Sequence, residues 1–491
     1  MSTSADPLFK LRQVGLSYRA HPVLRGIEWA WELGDHWAIV APNGGGKTSL
    51  ARILNGEQQH FSGAYERGLV LESQGCAYVC FEHGRRLMDR DRKLDCSEYS
   101  SDARDSGTTI SDLMPARDSD PESYDHVVQM LNLESLLGRG IRYVSTGEMR
   151  KGLLAGAILS HPGLMILDNP MDGLDIATQE RFGEVLDLII EASTATLVLC
   201  RDPVEVPATC NKLLLLDRGR IVAKGPRDEV LASPALKELM ASAPLELQIP
   251  KPREEQSVSR TPTIELNNVC ACWGDFCVFR DVNWRFGPDD HALIAGPNGC
   301  GKSTLLDLLT GDNHKAFGQE VYLFGNKRGS GESVWDIKSR FGRVDAKMQF
   351  AVPAGSSVRD VVVSGFFDSI GLHDRPSDQQ RRAAAEWMDA LALSDWAKDD
   401  FQSLSFGLQR VALLARAMVK SPQILLLDEA TLSLDRSHRK MLLDAVDQVA
   451  TAGLCQLLFV SHTVGERPAC INQVLQFSPH PDGSTVEVTG L

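Results

Sequence analysis

Gly296-Pro-Asn-Gly-Cys-Gly-Lys-Ser303 stands between the apolar run Ala292-Leu-Ile-Ala295 and a second one, Leu305 to Leu309. A short buried strand, a glycine-rich loop and the start of a helix are predicted in that order. The order has a chemical meaning. Glycines let successive backbone N–H groups turn inward around a phosphate, and the helix N-terminus offers it partial positive charge. Lys302 would then reach the β- and γ-phosphates, and the Ser303 hydroxyl would be a ligand to Mg²⁺.

The same arrangement occurs earlier in the chain, as Trp37-Ala-Ile-Val40, then Ala41-Pro-Asn-Gly-Gly-Gly-Lys-Thr48, then Leu50 to Leu54. The lysines at 47 and 302 are 255 residues apart. Ser145-Thr-Gly-Glu148 answers Ser405-Phe-Gly-Leu408, and Leu164-Met-Ile-Leu-Asp168 answers Ile424-Leu-Leu-Leu-Asp428, each pair 260 residues apart. Order and spacing are both kept, so the two halves read as homologous copies. The predicted domains are 8–240 and 263–491. Residues 241–262, with four prolines and a mixed charge run, read as an exposed linker. Arg85 to Asp125, dense in Asp, Arg and Ser, reads as a mobile insertion.

Composition sets bounds on these readings. Of 491 residues, 43% are apolar, enough for sizeable cores, yet no run approaches the 18 apolar residues of a membrane span. Met1 to Lys10 lacks the basic and apolar regions of a signal peptide, which predicts a cytoplasmic chain. Eleven cysteines without a framework predict reduced thiols, no disulfides, and no zinc at Cys270, Cys272 and Cys277. A net charge of −14 argues against nucleic acid as a partner.

Ser145 and Ser405 each lie 23 residues before the acidic strand ends Asp168 and Asp428. These segments resemble the signature of ATP-binding cassette ATPases, in which a Ser hydroxyl and Gly N–H cap the γ-phosphate of a nucleotide held by the opposite domain. The resemblance implies an α/β fold with two P-loop domains in tandem. Each has a RecA-like parallel sheet core, an antiparallel β layer and a helical subdomain, the latter near Arg85 to Ser160 and Ala351 to Lys420. It also implies that the two copies of one monomer pair with each other around two ATP molecules.

The implied ATP-binding residues of the first loop are Asn43, Gly44, Gly45, Gly46, Lys47, Thr48 and Ser49. Those of the second are Gly296, Asn298, Gly299, Cys300, Gly301, Lys302, Ser303 and Thr304. Ser145 with Gly147, and Ser405 with Gly407, supply the signatures. Tyr18 and Trp273, each 29 residues before a loop lysine, stand where the family stacks an aromatic ring on adenine. Mg²⁺ would be held by Thr48 and Asp168, and by Ser303 and Asp428. Glu429 takes the place of the catalytic base and His462 that of the histidine contacting the γ-phosphate.

Scored crosswise, the site of the second loop is complete and the other is degraded. Ala41 replaces a glycine, Asn169 stands where Glu429 would be, Arg201 replaces the histidine, and Phe406 and Leu408 interrupt the signature. A neutral Asn cannot take a proton from the attacking water, and general-base catalysis is worth about 10² to 10⁴ in rate. The first site should bind ATP and barely turn it over. Alkylation of Cys300, inside the second loop, would crowd the nucleotide.

Arg328-Gly-Ser-Gly-Glu-Ser-Val-Trp-Asp-Ile-Lys338 and Gly365-Phe-Phe-Asp-Ser-Ile-Gly371 are similar to stretches of the ModF-type tandem ATPases associated with bacterial molybdate uptake. That resemblance covers both copies and is sharpest between Ala295 and Ile471. It implies an energy-coupling subunit on the inner face of the plasma membrane, partnered by membrane permease subunits. Two departures count against it: Asn169 replaces an expected Glu, and neither Tyr78-Val-Cys-Phe-Glu82 nor Arg343-Val-Asp-Ala346 carries the glutamine that senses Mg²⁺ and the membrane subunit. Gln349 is displaced. The rival readings are a cassette machine acting on ribosomes or nucleic acid and a cytosolic regulator without a membrane partner. The short proline-rich linker, and lysine-to-signature spacings of 98 and 103 residues, disfavour the first rival.

Overall fold

The computed structural model describes residues 7–18, 21–80, 84, 87–88, 90–91, 107–172, 174, 176–193, 195–240, 249–250, 261–273, 276–345, 347–461 and 467–491. The chain divides into two compact units, Met1–Ala241 and Ser242–Leu491.

The first unit contains strands β1 (Phe9–Tyr18), β2 (His21–Trp31), β3 (Trp37–Val40), β4 (Ser62–Arg67), β5 (Cys76–Cys80), β6 (Leu164–Asp168), β7 (Thr196–Cys200), β8 (Lys212–Asp217) and β9 (Arg220–Pro226). They form an antiparallel layer, β2-β1-β4, and a six-stranded sheet in the order β5-β6-β7-β3-β8-β9. Only the β8–β9 pairing in that sheet is antiparallel. β3, β6 and β7 are buried at every position, which is why they read as unbroken apolar runs instead of alternating ones.

The second unit repeats the plan with β10 (Ile264–Trp273), β11 (Phe276–Phe286), β12 (Ala292–Ala295), β13 (Glu320–Leu323), β14 (Asn326–Lys327), β15 (Phe341–Asp345), β16 (Ile424–Asp428), β17 (Gln456–Ser461), β18 (Gln473–Ser478) and β19 (Thr485–Gly490). Its main sheet runs β15-β16-β17-β12-β18-β19, the order of the first unit strand for strand. Helices Pro121–Met130 and Thr146–Leu159, and in the second unit Val358–Val363, Asp378–Ala390 and Phe406–Met418, lie between phosphate loop and acidic strand.

The cores differ in filling. Phe9, Trp29, Trp31 and Trp37 pack ring against ring in the first unit, with centroids 5.0 to 6.1 Å apart. Such pairs add about 0.5–1.5 kcal/mol each beyond the area they bury. In the second unit the same positions, 255 residues on, hold Ile264, Trp284, Phe286 and Ala292.

Two expectations need correction. Cys272 and Cys277 form a disulfide. The β10–β11 hairpin makes them directly opposed partners, with Cα atoms 4.0 Å apart, and cysteine counting is blind to that register. The described part of the Arg85–Asp125 segment is packed, since Ile110, Met114 and Tyr124 join the helical core. Its residues 85–86, 89 and 92–106 lie outside the described residues, as does most of the linker. Among the described residues no helix is long and apolar enough to cross a membrane.

Candidate functional site

Each phosphate loop leaves the end of a central strand, β3 or β12, and enters a helix, Lys47–Asn55 or Lys302–Thr310. Gly46 and Gly301 immediately before the helices adopt φ of 103° and 100°, and a Cβ on either would strike the preceding hairpin at Leu24 or Val278. Only glycine fits there. The lysine that follows turns back over its loop. Lys302 Nζ donates to the carbonyls of Gly296 and Pro297 at 2.7 and 2.8 Å, and Lys47 Nζ to those of Ala41 and Pro42. Both ammonium groups are buried among carbonyls at the mouth of a glycine loop, which is the environment an anion would enter.

Asp168 and Asp428, each 8% exposed, end strands β6 and β16, separated from β3 and β12 by one strand. In the first unit the Thr48 hydroxyl donates to Asp168 Oδ2 at 3.0 Å, the Tyr78 hydroxyl to the same oxygen at 2.7 Å, and the Asn169 amide to Oδ1 at 2.5 Å. Burial and the Asp168 charge push the Tyr78 phenol well above its ordinary range. In the second unit burial, reinforced by the charges of Asp345 and Glu429, pushes Asp428 up to about 6 against the opposing Arg343 and Lys347. A hydroxyl converging with a carboxylate in one unit, and a buried carboxylate beside two others in the second, form a hard oxygen donor set of the kind that suits Mg²⁺.

Asn169 and Glu429 follow those aspartates in one and the same backbone state. Their φ values are 48° and 49°, and their N–H groups donate to Leu199 and Val460 on the next strand. The scaffold is unchanged and the chemistry is not. Asn169 turns its amide onto Asp168, while its Oδ1 is buried without a hydrogen-bond partner among the described residues.

The profile of the ABC transporter family matches residues 24–172 and 279–432, spanning both loops and both acidic strands. The chain belongs to the ABC transporter family. It is a tandem cassette ATPase. A curated relative, the ABC transporter ATP-binding protein ModF of Escherichia coli, is 36% identical over 454 residues, covering 91% of this chain and 92% of that protein. An uncharacterized ABC transporter ATP-binding protein of Schizosaccharomyces pombe is 24% identical and covers 92% and 94%. Among solved structures, an archaeal ABCE1 from a model of ribosome-bound Pelota and ABCE1 has a TM-score of 0.60 at 17% identity, over 98% of this chain and 78% of that one. At that identity the likeness speaks to fold alone.

The remaining cassette positions divide by unit. Tyr18 and Trp273 close strands β1 and β10 and are both 42% exposed, with Lys315 Nζ 5.5 Å from the Trp273 ring centre. Ser145 caps the helix Thr146–Leu159 in a full capping box with Glu148, whose carboxylate accepts the Ser145 N–H at 2.6 Å. Ser405 caps Phe406–Met418 from one side only, because Leu408 has no group to return. Gly407 lies against His438, itself bonded to Asp435 at 2.8 Å. His462 lies outside the described residues. The Cys300 side chain is buried in its loop and burial raises the thiol, both of which slow alkylation there.

Three features escaped the sequence. Arg201, in the histidine's place, is hydrogen-bonded and ion-paired to Asp172 inside the first cassette. Tyr78 and Arg343 reach Asp168 and Asp428 from the edge strands, in the very segments that lack the family's glutamine. Gln349 is buried in the short helix Met348–Ala351. Strand register, which pairs Tyr78 with Ile166 and Arg343 with Leu426, was the signal that could have found the edge residues.

Proposed function

We propose that the chain binds two ATP between its tandem cassettes and hydrolyses mainly the one held by the second phosphate loop, as the energy-coupling ATP-binding subunit of a molybdate-type transport system. What carries the asymmetry is the pair Asn169 and Glu429, two side chains of unlike chemistry on one backbone geometry.

At the second loop Lys302 and the backbone N–H groups from Asn298 to Thr304 hold the β- and γ-phosphates. Ser303 and Asp428 would hold Mg²⁺, which when bound supplies positive charge to the phosphate oxygens. Glu429 accepts the proton of the attacking water, and His462 fixes the γ-phosphate. Trp273 stacks on adenine, with Ser145 and Gly147 closing over the nucleotide. At the first loop Lys47, Thr48 and Asp168 bind the nucleotide under Tyr18, with Ser405 and Gly407 opposite. There Asn169 has no proton-accepting carboxylate, and Arg201 is committed to Asp172.

The transport role is supported by 36% identity to the ModF protein over nearly the whole length of both chains. The test has two arms. Nucleotide bound per chain after one turnover should be one ATP and one ADP; two ADP would refute the asymmetry. The protein should copurify with permease subunits from detergent-solubilised membranes. Sedimentation with ribosomes, or association with neither, would refute the transport role.

A further inference from the structure

The two cassettes differ at one more place beside the metal-binding aspartate. Tyr78 on β5 and Arg343 on β15 occupy the same position, each two residues before the end of the edge strand and each in register two residues before the aspartate of the next strand. Tyr78 offers Asp168 a neutral donor. Arg343 offers a full charge, with its guanidinium 3.2 Å from Asp345 and 3.8 Å from each of Asp428, Asp307 and Asp312. The helix after each loop carries the reverse pattern, since Arg52 stands five residues after Lys47 and Asp307 five residues after Lys302.

We propose that Arg343 is an internal counter-ion of the second site, near enough to Asp428 that a divalent cation reaches that carboxylate only by displacing the guanidinium toward its closer partner Asp345. Arginine keeps its charge at every working pH, so the competition cannot be relieved by losing a proton. It is relieved by movement. Asp345, Asp307 and Asp312 surround the guanidinium and can keep it paired once Asp428 is taken. Its Nε is buried without a hydrogen-bond partner among the described residues, so its bonding is not yet saturated. A cation arriving alone competes with Arg343 for Asp428. One arriving with nucleotide brings phosphate oxygens as further ligands and competes on better terms. Arg343 is thus a positioning residue that biases the second site against bare metal and toward the metal–nucleotide complex. The first site, with Tyr78, has no such gate.

The inference rests on reading Asp428 as a metal ligand, and the experiment separates the two. Mn²⁺ binding without nucleotide is measured by electron paramagnetic resonance on the full chain, with Asp168→Asn present throughout so that the first site is silent. Arg343→Met should tighten Mn²⁺ binding about fivefold, the effect of one unit charge at about 4 Å in a water-like dielectric, or bring it into range where the parent shows none. Arg343→Lys should restore the parent value. The affinity for Mn²⁺ with ATP should change less than that for Mn²⁺ alone, a split that mere loosening of the fold would not produce. Unchanged or weaker Mn²⁺ binding by folded Arg343→Met overturns the inference. Persistence of the Arg343→Met signal after Asp428→Asn overturns the ligand assignment itself.

Discussion

Arg201 holds Asp172 by a hydrogen bond, Nη2 to Oδ2 at 3.1 Å, and an ion-pair contact, Nη1 to Oδ1 at 2.8 Å, with both side chains mostly buried. The pair ties the end of β7 to the turn after β6. Arg150, which donates to the Pro170 carbonyl of that turn, brings a second buried guanidinium into the field of the first. Removing one partner of such a pair leaves a charge stranded, at about 3–5 kcal/mol. Asp172→Ala should therefore lower the stability of the first unit by that order in urea unfolding. Asp172→Leu combined with Arg201→Met should recover most of it. A loss below about 1 kcal/mol would mean that the pair behaves like a surface ion pair.

Glu429→Gln should reduce steady-state ATP hydrolysis by about 10² to 10⁴ while leaving ATP binding in place. Asn169→Ala should change the rate little, because the residue lost was never a base. Equal losses from the two substitutions would contradict the division of labour between the sites.

At Gly407 an added Cβ would meet His438 Cδ2 at 2.0 Å, Cγ at 2.1 Å and Cβ at 2.7 Å. Gly407→Ala should push His438 off Asp435 and cost about 1–3 kcal/mol in thermal unfolding. Combining it with His438→Ala, which removes two of the three clashes, should return part of that loss. If Gly407→Ala alone melts like the parent, the helix start has room that the structure lacks.

Glu148 is held below its ordinary carboxylate range, first by the hydrogen bond from the Ser145 backbone. A carboxyl with a lowered folded pKa contributes stability above its unfolded value of 4.5 and loses it as pH falls through the folded value. Glu148→Ala should thus melt earlier than the parent at pH 6, by the order of 1 kcal/mol for a lost cap. The gap should close on acidification below 4.5. A gap independent of pH would show that the side chain acts by packing.

Loops, acidic strands and the repeat itself were legible in the sequence because each is a contiguous run whose period or spacing states its role. The two sheets of identical strand order follow from those runs. What stayed hidden depends on which residues face each other across strands. Cys272 meets Cys277 only because the β10–β11 hairpin shifts register between Ala271 and Cys272, the last of three shifts along the pair, and no pattern of types announces those shifts. Arg201 and Asp172 are 29 residues apart, joined by the lateral pairing of β6 with β7. Arg343 reads in the sequence only as a segment without a glutamine, and its place on β15, in register with Leu426, is what sets it beside Asp428.

Two sheets of the same strand order on one chain invite an error during folding, in which a strand inserts into the wrong copy. The cluster of Phe9, Trp29, Trp31 and Trp37 makes that exchange costly. β12 in the place of β3 would put Ala292 where an indole belongs and leave a void beside three aromatic rings, while β3 in the place of β12 would drive an indole into space shaped for a methyl group. The tryptophans of the first unit thus make two sheets of one strand order unlike in the shape of their cores, so that neither central strand fits the other's place.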